Sequence, residues 1–205
     1  SGTYVVSEVV DSGWIQTYPT GLGTYSLSLS LWEKLAGKNF GNMGGFRYIG
    51  PPVGDWSVGT NWEGGSPPGP GNFVVIPPHD TVTVDALPSN TISALRIDNG
   101  AILQFSPDVG RLNISRSVRI DPGATLTFSE ISDTTGLNCF RDFVNRGVLV
   151  PGHSVITFAG DSAKSIASEG AVNSFYTLEI AGNNTSTSGN VTVENDLLLH
   201  RSISP

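Results

Sequence analysis

The chain has 205 residues, with 11 Lys and Arg against 18 Asp and Glu and a formal net charge of -7 at pH 7. That balance argues against a nucleic-acid partner, because phosphate recognition needs a basic surface. The single Cys139 excludes an internal disulfide, and no apolar run nears the ~18 to 20 residues of a membrane-spanning helix.

The length allows one large or two small domains. Only 14% of the residues are charged, and 25 are Gly, a composition that favours turns and β structure over helix. A secreted protein of this kind must be held together by packing alone. Ser1 opens directly on strand-like sequence, as expected of a chain whose leader has been removed or lies outside this segment.

Residues 1–53 read as a strand-rich segment. Thr3 to Val10 and the strictly alternating Tyr25 to Leu31 are expected strands. Ser30 and Glu33 resemble a capping box and Gly37 a helix stop, so Leu31 to Ala36 is an alternative single helical turn. The glycines from Gly41 to Gly45 predict irregular structure. This segment is expected to cap the open hydrophobic end of the region that follows, with partner docking or strand donation as the alternative.

Residues 54–72 are a Trp, Gly and Pro-rich junction. Trp56 and Trp62 lie six residues apart in a Gly-rich loop. They could form a sugar-stacking platform or plug the end of a solenoid, where one large apolar side chain contributes roughly 2 to 3 kcal/mol of burial.

From residue 73 to 205 the reading is a right-handed parallel β-solenoid of about five to six coils, truncated at its C-terminus. Its signature is an internal repeat. Leu95-Arg96-Ile97-Asp98-Asn99-Gly100-Ala101-Ile102-Leu103-Gln104-Phe105 returns as Val118-Arg119-Ile120-Asp121-Pro122-Gly123-Ala124-Thr125-Leu126-Thr127-Phe128, with seven of eleven positions identical at an offset of 23. Each copy is two short strands meeting at a turn, and strand alternation puts Leu95, Ile97, Ala101, Leu103 and Phe105 on one face. A unit this small cannot bury that face alone, whereas copies stacked ~4.8 Å apart bury it against each other.

On the other face, Arg96 and Asp98 are expected to sit outward over Arg119 and Asp121, the arginines relieving like-charge stacking. A Ca²⁺ ion bridging Asp98 and Asp121 is the sharper alternative, but six to eight oxygens are needed and no run supplies them. Asp142 to Val150 looks like a third copy, with Gly147 shifted to an offset of 24 from Gly123. Val155 to Gly160 recurs as Thr177 to Gly182, 22 residues on. Val191 to Val193 and Leu197 to Leu199 begin another coil without a cap, so further coils or further copies of the protein are expected partners.

No catalytic residue, metal site or cofactor is expected, and the chain is not read as an enzyme. His79, His153 and His200 lie far apart in sequence without ligand spacing, and are expected at turns or the surface. Cys139 is expected to be a small buried side chain without a positioned base. The carboxylates Asp98 and Asp121 repeat with the coil, whereas a polysaccharide-cleaving site is a single constellation.

The order W-S-x-G-T-N-W-x-G-G, a Pro/Gly run, N-F-V-V-I-P, T-V-T-V-D, S-A-L-R-I and G-A-x-L-x-F resembles β-helical repeat regions of large secreted bacterial surface adhesins, including those exported by the type IX system of gliding bacteria. The rhythm of Asp142 to Val150, Ser162 to Ile166 and Phe175 to Ile180 is similar to the same family, and the W-x-G-G opening resembles the G8 domain of extracellular polysaccharide-acting proteins. The likeness spans about residues 54–200 and implies fold more than function. It implies a secreted or cell-surface location, with surface glycans and secretion machinery as partners, and O-glycosylation at the D-[ST] motifs carrying Thr81, Thr134 and Ser162. Asn113, Asn183, Asn184 and Asn190 fit N-x-[ST], which matters only in a glycosylating host.

The expected function is therefore that of an extracellular structural and adhesive protein, the N-terminal part of a cell-surface adhesin or filament with a solenoid shaft. A carbohydrate-binding module using Trp56 and Trp62, or a polysaccharide-active β-helix enzyme, is the alternative.

Overall fold

The computed structural model describes residues 2–10, 14–19 and 23–200. Four strands precede the coil. β1 (Gly2–Ser7) pairs antiparallel with β3 (Thr24–Leu29), and β2 (Trp14–Tyr18) pairs antiparallel with β4 (Gly41–Gly44). The alternation of Tyr25-Ser26-Leu27-Ser28-Leu29 thus forms a strand as read. Two expectations fail here. Glu33 does accept a hydrogen bond from the Ser30 amide, at 2.7 Å, yet the chain makes only a tight turn, because Trp32 enters the left-handed region at φ 69° and halts any helix. The glycines after Phe40 are extended as β4, held by pairing with β2.

The solenoid begins earlier than residue 73. Its first coil carries β5 (Phe46–Arg47), β6 (Val53–Asp55) and a 3₁₀ turn (Gly59–Asn61), and β5 and β6 already pair parallel with the strands of the next coil. That coil holds β7 (Phe73–Ile76), β8 (Thr81–Val84) and β9 (Thr91–Ile92). Then follow β10 (Ala94–Ile97), β11 (Ile102–Phe105) and β12 (Arg111–Ile114), and β13 (Val118–Ile120), β14 (Thr125–Thr127) and β15 (Gly136–Cys139). The last coils are built by β16 (Phe143–Asn145), β17 (Val148–Val150), β18 (Val155–Ala159), β19 (Lys164–Ser168), β20 (Asn173–Ala181), β21 (Thr185–Ser188) and β22 (Val191–Leu199).

Neighbouring coils join in three parallel sheets. Sheet I runs β5-β7-β10-β13-β16-β19-β21, sheet II β6-β8-β11-β14-β17, and sheet III β9-β12-β15-β18-β20-β22. The molecule is a parallel β-solenoid of about six turns. Among the described residues, no helix is long and apolar enough to cross a membrane.

The sequence repeat is the stacking register. Leu95 lies on Val118, Ile97 on Ile120 and Leu103 on Leu126. All six side chains are buried in one continuous apolar core with Val74, Val82, Ile92, Leu112, Phe143 and Phe175. Gly100 and Gly123 occupy equivalent corners in adjacent layers, at φ 73° and 75°, where a side chain is strained. In both corners the residue after the glycine donates its amide to the aspartate carbonyl three residues back, at 2.9 Å from Ala101 and 3.0 Å from Ala124. Asn99 Nδ2 joins the layers by donating to the Pro122 carbonyl at 2.6 Å.

The third copy is real but its corner is tighter. Asn145 stacks on Ile120 and Val148 on Thr125, so two residues bridge the strands where four did before. Gly147 therefore falls beneath Ala124 rather than beneath Gly123. An added Cβ there would lie 2.4 Å from the Ala124 carbonyl oxygen and 2.6 Å from that of Asp121. The pair Val155 to Ala159 and Thr177 to Ala181 stacks in register, as its spacing of 22 implies.

The N-terminal segment was expected to cap the end of the coil, but its strand β2 lies against the coil's side. On sheet I the inward residues Val74, Ile76, Leu95 and Ile97 belong to the main core, while the outward Phe73, Val75 and Ala94 form a second buried cluster. β2 packs over β7, so this sheet is apolar on both faces.

Gly136 marks a close approach between two coils, since a Cβ there would lie 1.9 Å from the Val155 carbonyl oxygen. Gly136→Ala must push β18 away from β15, and is expected to cost about 3 kcal/mol. Gly170, with open space around it and φ 73°, bears only backbone strain, so Gly170→Ala is expected to cost about 1 kcal/mol. Urea unfolding of the two variants measures the contrast.

Candidate functional site

The end of the coil is closed by aromatics. Trp62 bridges antiparallel to Tyr48, and Ile49 and Glu63 donate their amides to the carbonyls of Asn61 and Arg47 at 2.8 and 3.0 Å. The Trp62 ring meets Trp56 edge-on at 4.8 Å, Tyr48 edge-on at 5.4 Å and Phe46 face to face at 6.0 Å. Its indole N–H donates to the Trp56 carbonyl at 2.8 Å. Trp56 is 0% and Trp62 1% exposed, so neither presents a ring face on which a sugar could stack. The platform gives way to the plug, because a first coil with no coil before it must bury its inner face against something.

Around the corner, sheet I carries a charged ladder beneath the antiparallel pair β2–β4, a wide hairpin whose long connection carries β3. Arg96 and Asp98 were expected to face solvent, but they are only 8% and 3% exposed. Arg96 lies between two carboxylates, with Nε 2.7 Å from Asp98 Oδ1 and Nη2 3.0 Å from Asp121 Oδ2. Its Nη1 donates to the Trp14 carbonyl at 2.7 Å, tying the hairpin to the coil. Arg119 Nε reaches Asp121 Oδ1 at 2.5 Å. Burial raises the Asp98 carboxyl above its ordinary range, opposed chiefly by Arg96. The guanidinium fills the gap that a Ca²⁺ ion bridging Asp98 and Asp121 would need, so the arginines act as the relief of like charge that their stacking implied.

Beside this ladder the hairpin and the coil enclose a cleft of about 370 Å³, with Gln16 on the hairpin side and Phe73, Arg116, Ser117, Arg119, Arg141 and Asp142 on the coil. Arg116 and Arg141 sit where the chain passes from sheet III to sheet I. Val118 stacks on Phe143 and Phe143 on Ile166, so Arg116, Arg141 and Lys164, each two residues earlier, form one basic column. The Arg116 guanidinium lies 5.3 Å above the Phe73 ring, and both Arg116 and Arg141 are exposed. Asp142 Oδ1 accepts from the amide and hydroxyl of Ser165 at 3.1 and 2.9 Å.

Lys164 ends the column differently. It is 2% exposed, and its Nζ donates to the carbonyls of Gly160, Ser162 and Asn183. Burial lowers its pKa from the ordinary lysine value, with Asp161 opposing. It satisfies three backbone acceptors at a corner and points away from the cleft's solvent.

Neither arginine of the cleft stood out in the sequence, because each belongs to a loop and the hairpin residue facing them is a hundred positions earlier. The available signal was a basic residue two places before each of Val118, Phe143 and Ile166, which stack in successive strands of sheet I.

The remaining sequence candidates are dispersed. Thr134 and Ser162 are exposed and Thr81 is half-buried in β8. His79, His153 and His200 are exposed and mutually remote in the coil; His153 stacks on Tyr176 and His200 pairs with Glu179. Cys139 is buried between the stacked Ile114 and Phe158, and burial pushes its thiol far up. Among the described residues, no three His, Cys, Asp or Glu side chains converge as a metal site.

Comparison with known proteins finds no family model, no curated protein and no solved structure that matches this chain.

Two outcomes are expected. Trp56→Ala lowers stability by about 3 to 5 kcal/mol through the cavity it leaves, read by chemical unfolding. Cys139 stays unmodified by a thiol reagent at pH 8 in the folded protein and reacts once urea unfolds it, because only the exposed thiolate is a nucleophile; rapid labelling of the native protein contradicts its placement.

Proposed function

We propose that this chain is an extracellular structural and adhesive element, a β-solenoid shaft of the kind carried by cell-surface adhesins or filaments. The observation that carries this reading is the unbroken register of sheet I, in which seven strands stack in parallel from β5 to β21. Each coil shares backbone ladders with its neighbours, so bending or shearing the body must disturb several ladders together. Such a body is stiff without disulfides. It also presents side chains at fixed intervals, as an adhesive surface requires.

The two ends differ in a way that suits a shaft. One is plugged by Trp56 and Trp62. At the other, β22 is the last strand of sheet III, and Leu197, Leu198 and Leu199 are 54%, 43% and 68% exposed. Exposed leucines of this kind suit contact with another apolar surface. The resemblance of the Trp/Gly opening and the later strand rhythm to adhesin repeat regions supports the surface location.

The reading is tested on the cells that make the protein. Antibodies to the chain are expected to label intact, unpermeabilised cells and to reduce their attachment to surfaces. Labelling only after permeabilisation would overturn it.

A further inference from the structure

We propose that the cleft between the β2–β4 hairpin and the outer flank of sheet I is a binding site for an acidic sugar, a polyhydroxylated unit bearing one carboxylate. Such a site would be remote from the plugged tryptophans, and would exist whether or not the coil serves as a shaft.

Charge is the first argument. The chain as a whole is acidic, at -7, yet three of its 11 Lys and Arg residues line this one cleft. Arg119 is committed to Asp121, which leaves Arg116 and Arg141 beside Asp142, the one carboxylate among the described lining residues. The remaining balance is one positive charge. That suits a monoanion; a phosphate or other dianion would meet Asp142 with its second charge unmatched.

The shape of the donor set narrows the ligand further. Arginine presents a planar fork matched to a carboxylate, and two forks stand one coil apart at equivalent positions of the column. Around them are groups suited to hydroxyls rather than charge. Ser117 lines the cleft with them. Gln16 donates its amide nitrogen to the carbonyls of Tyr18 and Gly23, at 3.2 and 2.8 Å, which holds the side chain in place and leaves its oxygen as an acceptor. Val144 and the edge of Phe73 add a small apolar wall, against which the carbon face of a sugar ring can lie.

A peptide fits less well. Sheet I offers its face here and not an edge, so its backbone groups are already paired along the ladders and none is free to take up an added strand. The volume, about 370 Å³, lies at the small end of ligand pockets, which suits one or two ring units.

Titration calorimetry of the whole chain with the methyl glycosides of galacturonate and of glucuronate, each bearing one carboxylate, tests the site. At least one acid is expected to bind, and its methyl ester to bind at least roughly tenfold more weakly, since a charge-assisted hydrogen bond is lost. Arg116→Gln and Arg141→Gln should each weaken the acid roughly tenfold while leaving the unfolding temperature unchanged, both side chains being exposed. Arg111→Gln removes an equal charge on the flank of sheet III, where Arg111 pairs with Glu179, and should change nothing. In nitrogen-edited NMR spectra the Gln16 side-chain amide is expected to shift on binding. No binding of either acid, equal binding of the ester, equal loss from Arg111→Gln, or tighter binding of an acetylated glutamate peptide or of inorganic phosphate would each overturn the proposal.

Discussion

Every layer of this molecule depends on one requirement: the inward residues of each coil must land on those of the next. A coil of some two dozen residues has too little core to be stable alone. Stacked in parallel, however, each inward Leu, Ile, Val or Phe is covered above and below by its counterpart. The corners enforce that register. Gly100 and Gly123 turn the chain at positive φ in successive layers, and the Asn99 amide reaches from one corner to the next carbonyl. Where the third corner loses two residues, Gly147 slides under the Ala124 carbonyl. The ladder continues because a glycine leaves room for the backbone to come close.

A stack of this kind has two problems, its ends and its flanks. The first end is sealed by Trp62, Trp56 and Tyr48, with Asn61 buried among them and its amide bonded to the Asp55 carbonyl at 3.0 Å. One flank is covered by the hairpin of β2 and β4, and this explains the composition of sheet I. Phe73, Val75 and Ala94 face outward and are apolar because they are not at the surface of the folded chain. Arg96 is the polar counterpart. It enters the same covered layer with a carboxylate on either side, and donates from Nη1 to the Trp14 carbonyl. Taking away one partner of such a buried charge leaves the other uncompensated, so displacing the hairpin would cost the guanidinium one of its acceptors.

The cleft follows from that docking. The coil alone would present Arg116 and Arg141 on an open flank, where water screens them. With the hairpin beside them they line a concavity whose other wall is Gln16, and their field is focused on a small volume. The same column ends at Lys164, where burial and three carbonyls convert a basic side chain into a structural clasp. Equivalent positions of one repeat thus diverge by how much of the chain covers them.

The sequence by itself determined the coil: the identical glycine corners, the alternating inward residues and the offsets of 22 and 23 leave few folds other than a parallel stack, because adjacent coils interact through local, repeated rules. It also pointed to Cys139 as buried, and offered the plug as one of two fates for Trp56 and Trp62. Tertiary structure alone decided what covers each surface. Whether Arg96 faces water or the hairpin, whether Trp62 stacks on a sugar or on Phe46, and which residue lies opposite Arg141 all depend on contacts between segments tens of residues apart. Alternation shows which side chains share a face, but only docking of the N-terminal strands against sheet I shows whether that face is open to solvent.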